Sequence, residues 1–253
     1  MTNIKFRTGA IALAISAFLL PACTNEPEVG ITQDEENVTT EEVAENTEDY
    51  LGQEITVRSE VNQKVDEAAF TLNDSRFFNG DEILVINATG APFILPEDDT
   101  EVQVTGEVQQ FNIVEFEQGY GLDLDPQVYA EYEEQPAIVA QSLALAPEPQ
   151  EIAANPDQYY NYPIAVQGEV DEVYSPNSFK LEGEDLLVIV PGSDFTQEDE
   201  VVTIVGEVRP FILADLERDY DLTWDLDVQE KIEAEYQEKP VMIAREVYPS
   251  AQE

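Results

Sequence analysis

The sequence predicts a mainly β protein made of two tandem five-stranded barrels, each with a helical insert before its last strand. Three observations lead there. The phrase VTGEVQQF at 104–111 returns as IVGEVRPF at 204–211. Around both, apolar and polar residues alternate with the period of two that marks a half-buried strand. Short continuous apolar runs such as Ile83-Leu84-Val85-Ile86 lie between them and are of strand length, not helix length.

The repeat holds at constant offsets. Tyr50, Ile55, Val57, Glu60 and Val61 match Tyr159, Ile164, Val166, Glu169 and Val170, and Phe70-Thr71-Leu72 matches Phe179-Lys180-Leu181 in the same register. A deletion follows in the second copy, after which Val102, Val104, Gly106, Glu107, Val108 and Phe111 match Val202, Ile204, Gly206, Glu207, Val208 and Phe211. Ala130-Glu131-Tyr132 recurs as Ala234-Glu235-Tyr236. Each copy is the size of one globular domain and too long for a solenoid unit. The copies run over 40–143 and 150–248, with a linker at 144–149.

In the first copy Ile55, Val57 and Val61 mark one strand, Phe70 and Leu72 a second, and Ile83–Ile86 a third. Val102, Val104 and Val108 mark a fourth. The fifth is Ala137-Ile138-Val139-Ala140, copied as Val241-Met242-Ile243-Ala244. Between the fourth and fifth, 111–118 and 126–134 have helical character, and Pro126 suits a first helical turn. Gly106 and Gly206 occupy inward-facing strand positions, where a missing side chain permits the strong coiling of a small barrel. On the opposite face of that strand the first copy is polar. The second copy has Val201 and Val205 there, which predicts cover from the helical insert or the neighbouring barrel.

Tyr50-Leu51-Gly52-Gln53-Glu54-Ile55-Thr56-Val57-Arg58-Ser59-Glu60-Val61, followed by Phe70-Thr71-Leu72, resembles the first strands of bacterial exported OB-fold proteins. The second copy keeps this spacing, with Gly168 in the place of Ser59 and Asn161 in the place of Gly52. The resemblance implies a tandem OB-fold-like architecture. It departs from the usual topology in one respect: the helix follows strand four instead of joining strands three and four.

The amino terminus has Lys5 and Arg7, an uncharged apolar run from Ala10 to Leu20, and then Pro21-Ala22-Cys23. This is the layout of a secretory signal peptide over 1–22, too short for the roughly 20 residues of a spanning helix. Leu20-Pro21-Ala22-Cys23 resembles a bacterial lipobox, which implies cleavage before Cys23, lipidation of its sulfur and attachment to the cell membrane or outer membrane, facing periplasm or exterior. Cys23 is the chain's only cysteine, so it has no partner for an intramolecular disulfide. Residues 23–39 then form a lipidated, acidic tether with too little apolar surface to fold.

Loss of Lys5 and Arg7 takes the formal charge from −44 to −46. Such a surface repels phosphate backbones, which excludes nucleic acid as a partner, and it repels anionic head groups, leaving the acyl chains as the membrane contact. Two readings of the acidity stand: solvation in a saline medium, or recruitment of cations or a basic protein partner.

Catalysis has little to work with. There is no histidine, which removes the Ser-His-Asp and Cys-His arrangements and His-based zinc sites, so the expectation is a non-catalytic binding module without a cofactor. The alternatives are a low-affinity Ca²⁺ protein, with the repeated Asp123, Asp125 and Asp225, Asp227 as the best oxygen ligands, and a carboxylate hydrolase. Glu97-Asp98-Asp99 and Glu198-Asp199-Glu200 are weaker cation candidates. Arg58, Lys64, Arg76, Phe77 and Phe78, with Tyr174 and Lys180 in the second copy, are the bases and aromatics nearest the face that OB-folds use for ligands. Tyr159-Tyr160-Asn161-Tyr162 reads as a lid at a barrel entry, with a sugar platform as the other reading.

Overall fold

A computed structural model describes residues 50–72, 82–95, 100–182, 186–192, 198, 200–220, 222 and 224–250. The expected signal peptide, Cys23 and the expected tether, with Arg76, Phe77, Phe78, Glu97–Asp99 and Asp199, lie outside the described residues.

The first half contributes β1 (Glu54–Lys64), β2 (Ala69–Leu72), β3 (Ile83–Asn87), β4 (Glu101–Gln110) and β5 (Pro136–Leu145). β1 pairs antiparallel with β2 and β4, β2 with β3, and β4 with β5, while β3 runs parallel to β5. That cycle closes a five-stranded barrel. Its interior is the alternating set read from the sequence: Ile55, Val57 and Val61 from β1, Val102, Val104 and Val108 from β4, each at most 2% exposed.

β3 and β5 carry apolar runs without alternation because both of their faces are covered. Val85 and Ile138 point into the barrel core. Leu84, Ile86, Ala137 and Val139 point outward and join a second cluster under the helical insert. The insert is α1 (Ile113–Tyr120) and α2 (Pro126–Tyr129), somewhat shifted from the predicted 111–118 and shorter than the predicted 126–134, with turn residues from Ala130 to Glu134. Asn112 caps α1 by accepting from the Glu115 amide at 3.1 Å, and Gly121, at φ 68°, closes its other end. Phe111 stacks on Tyr129 and meets Phe116 edge-on.

The second half has β6 (Pro163–Ser175), β7 (Ser178–Leu181), β8 (Leu187–Ile189), β9 (Val201–Pro210) and β10 (Pro240–Pro249). Its strands pair in the corresponding order: β6 with β7 and β9, β7 with β8, β9 with β10, and β8 parallel to β10. Between β9 and β10 lie α4 (Leu213–Tyr220) and α5 (Leu226–Tyr236), which cover Leu187, Ile189, Val241 and Ile243. α5 has 11 residues where α2 has four.

A short helix, α3 (Pro149–Ala154), and a 3₁₀ turn (Pro156–Gln158) connect the halves. The connection is packed: Ala146 and Ile152 are fully buried. Leu145 of β5 pairs in parallel with Ile164 of β6, so the ten strands form one continuous sheet. One core cluster contains residues of both halves. The buried Gln103 amide donates to the Tyr248 hydroxyl across 145 residues of sequence at 2.6 Å, and Arg58 donates to the Ala146 carbonyl at 2.6 Å while pairing with Glu101 at 2.8 Å.

The expected cover is absent at Val201 and partial at Val205. Val201 is 42% exposed, and Val205 is half-buried in the wall of a cleft. The helical insert lies over β8 and β10, away from both valines.

Candidate functional site

The cleft lies at the junction of the halves and has a volume of about 580 Å³, within the range of about 300–1,000 Å³ common for small-molecule sites. Irregular backbone builds it. In β5 the inward positions are Ile138 and Ala140, then Leu143 and Leu145. The change of parity is a β-bulge: Thr105 pairs with Ser142 but Gly106 with Ala140, leaving Gln141 as the extra residue. In β10, Ala244 pairs with Gly206 and Glu246 with Val205, leaving Arg245 over. A bulge bends its strand and redirects a side chain. Both extra residues, Gln141 and Arg245, line the cleft.

The bulges explain the glycines of the doubled phrase. A Cβ on Gly106 would overlap the Val139 carbonyl, and one on Gly206 the Ile243 carbonyl. The partner backbone passes there too closely for any side chain, which is a tighter requirement than inward-facing coiling alone.

The aromatic wall comes from two loops. After the 3₁₀ turn the chain reverses through Asn161, at φ 69°, a left-handed conformation that asparagine tolerates better than most residues. Tyr160 is held by a bridge to Val208. The reversal places Tyr160 and Tyr162, both half-buried, in the lining. On the other side the loop after β3 is stiffened by its own polar groups. Asn87 accepts from the Thr89 amide at 3.1 Å and its hydroxyl at 2.6 Å, and donates to the Ala91 carbonyl at 2.9 Å. This loop presents Phe93, which packs near Phe70, and the 62% exposed Ile94.

Electrostatically the cleft differs from the molecule around it. Arg245 is the only base lining it among the described residues, and Glu246 the only acid. The Arg245 guanidinium is loosely held, 3.8 Å from Glu207, with its side chain 68% exposed. Burial, with a smaller contribution from Asp157, raises the Tyr160 pKa, so its hydroxyl remains a neutral donor and acceptor at pH 7.

The acidic candidates have structural roles in part. The Asp125 carboxylate accepts from the Gln127 amide at 2.8 Å and the Asp225 carboxylate from the Val228 amide at 2.9 Å, each capping a helix. Asp123 and Asp227 are exposed. Among the described residues no three acidic side chains are grouped closely enough to hold a metal ion. Capping alone accounts for an aspartate at 125 and 225 in both copies.

Among the ligand-face candidates, Arg58, Lys180 and Tyr174 are taken up by packing and ion pairs. Arg58 ties β1 to the inter-half connection, and Lys180 pairs with Asp171 at 2.8 Å. Lys64 is exposed. Tyr174 is buried, with its hydroxyl 3.0 Å from Glu235 and 3.3 Å from Tyr236. Of the sequence candidates among the described residues, Tyr160, Asn161 and Tyr162 line the cleft. Sequence reasoning missed Phe93, Gln141 and Arg245. The last two had a signal: Gln141-Ser142 and Arg245-Glu246 each put two polar residues together inside an otherwise apolar strand.

No protein-family model matches the chain, and no curated protein matches it. No helix among the described residues is long and apolar enough to cross a membrane.

Proposed function

We propose that this chain is a lipid-anchored envelope protein in which two OB-fold-like barrels form one non-catalytic binding module, with the cleft between them as its ligand site. The cleft carries the reading: it collects three aromatic rings, two amides, one base and one acid from five separate segments around a shared core. The Greek-key pairing of the first half, and the corresponding pairing order of the second, support the OB-fold-like assignment. The lining supports binding over catalysis. It has one carboxylate where glycoside cleavage uses two, and the chain has no histidine to serve as a general base.

Two experiments test this. Hydrogen–deuterium exchange of the protein incubated with the small-molecule fraction of its own envelope should show protection confined to 89–94, 141–143 and 160–163. Protection elsewhere with none at these segments removes the cleft as the site. Cys23→Ser should shift the protein from the membrane to the soluble fraction and abolish acyl labelling; an unchanged distribution removes the lipid anchor.

A further inference from the structure

We infer that the occupant of the cleft is a neutral saccharide, two or three units of a glycan without charged substituents. This rests on the reading of the cleft as the ligand site and specifies its chemistry.

Charge narrows the choice first. With 55 acids in the chain, an anionic ligand must approach through a repulsive field. A cation is drawn to the whole surface, but the extra residue of the β10 bulge sets a guanidinium at this cleft. With one base and one acid in its lining, and Glu207 3.8 Å from the guanidinium, the cleft carries far less excess charge than the strongly negative molecule around it.

Polarity narrows it further. An acyl chain or other fully apolar ligand would strip water from Gln141, Asn161, Arg245 and Glu246 and give their polar atoms nothing in return. An extended peptide would have to add to a strand edge. The bulges at Gln141 and Arg245 interrupt the even spacing of backbone donors and acceptors that strand addition needs.

A sugar ring meets both demands. Its C–H face lies against an aromatic ring, and its rim of adjacent hydroxyls pairs with groups that donate or accept in pairs. Tyr160, Tyr162 and Phe93 supply ring surface, and two of these rings end in a hydroxyl. The amides of Gln141 and Asn161, the Glu246 carboxylate and the Arg245 guanidinium supply paired donors and acceptors.

The test is calorimetric titration of the protein with cellotriose, maltotriose and tri-N-acetylchitotriose, beside trigalacturonate, spermidine and tetra-alanine. Three variants accompany it. Asn161→Gly keeps the left-handed backbone and deletes the amide, Arg245→Gln changes an exposed side chain, and Tyr160→Ala removes a ring, with the melting temperature recorded for each. At least one neutral trisaccharide should bind, and Asn161→Gly and Arg245→Gln should each weaken it about tenfold, about 1.4 kcal/mol, at unchanged melting temperature. No binding of any neutral trisaccharide up to about 10 mM, where a millimolar Kd would register, overturns the inference. Binding of the anion, polyamine or peptide alone, weakened by these variants, overturns the saccharide while leaving the cleft as the site. Saccharide binding indifferent to all three variants overturns the cleft reading as well.

Discussion

Gly106→Ala is the substitution on which the account of the bulges depends most. A Cβ at this position would lie 2.7 Å from the Val139 carbonyl carbon and 2.8 Å from the Ala140 Cα, and closer still to the Val139 oxygen. All three are backbone atoms, so no side-chain rotation relieves the overlap. β4 and β5 must separate beside the bulge. Overpacking of this kind costs about 1–3 kcal/mol, and one lost ladder hydrogen bond adds about 1 kcal/mol. The lower entropy of the unfolded alanine chain returns about 0.4–1 kcal/mol. The net expectation is a loss of about 1–3.5 kcal/mol. With a urea m-value of about 2 kcal/mol per M, the unfolding midpoint should fall by about 0.5–1.8 M. Gly168→Ala is the control. There a Cβ meets the Leu181 Cδ1 at 3.2 Å, the end of a side chain that can turn aside, and the midpoint should move by less than about 0.5 M. If the two variants lose equally, or Gly106→Ala loses nothing, close backbone approach is not why the glycine is there.

Four further outcomes follow from the same structure. Tyr248→Phe strands the buried Gln103 amide and should cost about 1–3 kcal/mol in urea unfolding, a penalty that Gln103→Leu in the same chain should partly relieve. Asp225→Ala removes the α5 cap and should cost about 1 kcal/mol by thermal unfolding, whereas Asp225→Asn should cost little. Tyr174 has its pKa raised, first by burial and then, against a lowering hydrogen bond from Tyr236, by Glu235; burial, with Asp66 beside it, does the same to Tyr129. A raised folded-state pKa gives stability that is complete below the unfolded tyrosine value of about 10 and is lost as pH climbs above it, so denaturation midpoints should be level in tyrosine terms up to about pH 10 and fall beyond it. With a formal charge of −44, the melting temperature should rise with NaCl as self-repulsion is screened; a flat response would mean that the surface acids are too far apart to repel.

Much of the first barrel was legible because each strand has a periodicity of its own. Ile55, Val57 and Val61 alternate since one face of β1 is core, while Leu84 and Val85 sit side by side since β3 is covered on both faces. The doubling then carried the same reading into the second half. The helical insert was legible in part, since Pro126 is a local signal, while the cap at Asp125 reads from sequence as a cation ligand. Less of the cleft was legible. Its walls come from five segments brought together by the junction, and no local pattern records that Phe93 and Tyr160 line the same space. The failure of the expected cover at Val201 has the same origin. An apolar pair on a strand's outer face shows that the face is not plain solvent-facing sheet, but it does not show whether a helix, a neighbouring half or a ligand site lies against it.

The unequal inserts have a consequence for how this chain finds its partners while folding. Tandem domains of similar sequence are prone to strand exchange, since a late strand of one copy fits the other. Here β5 and β10 are the candidates for exchange, because each closes its half and each is delivered by an insert. The inserts differ: α5 runs 11 residues against four in α2, and Ile232 and Tyr236 of the longer helix are fully buried in its own cluster. A β10 directed to the first half would bring its 11-residue helix to the floor made by Leu84 and Val139, which a four-residue helix and the turns after it cover in the native pairing. The difference in length predicts a packing penalty for a closing strand sent to the wrong half, which would disfavour the trading of parts between two near-copies in one chain.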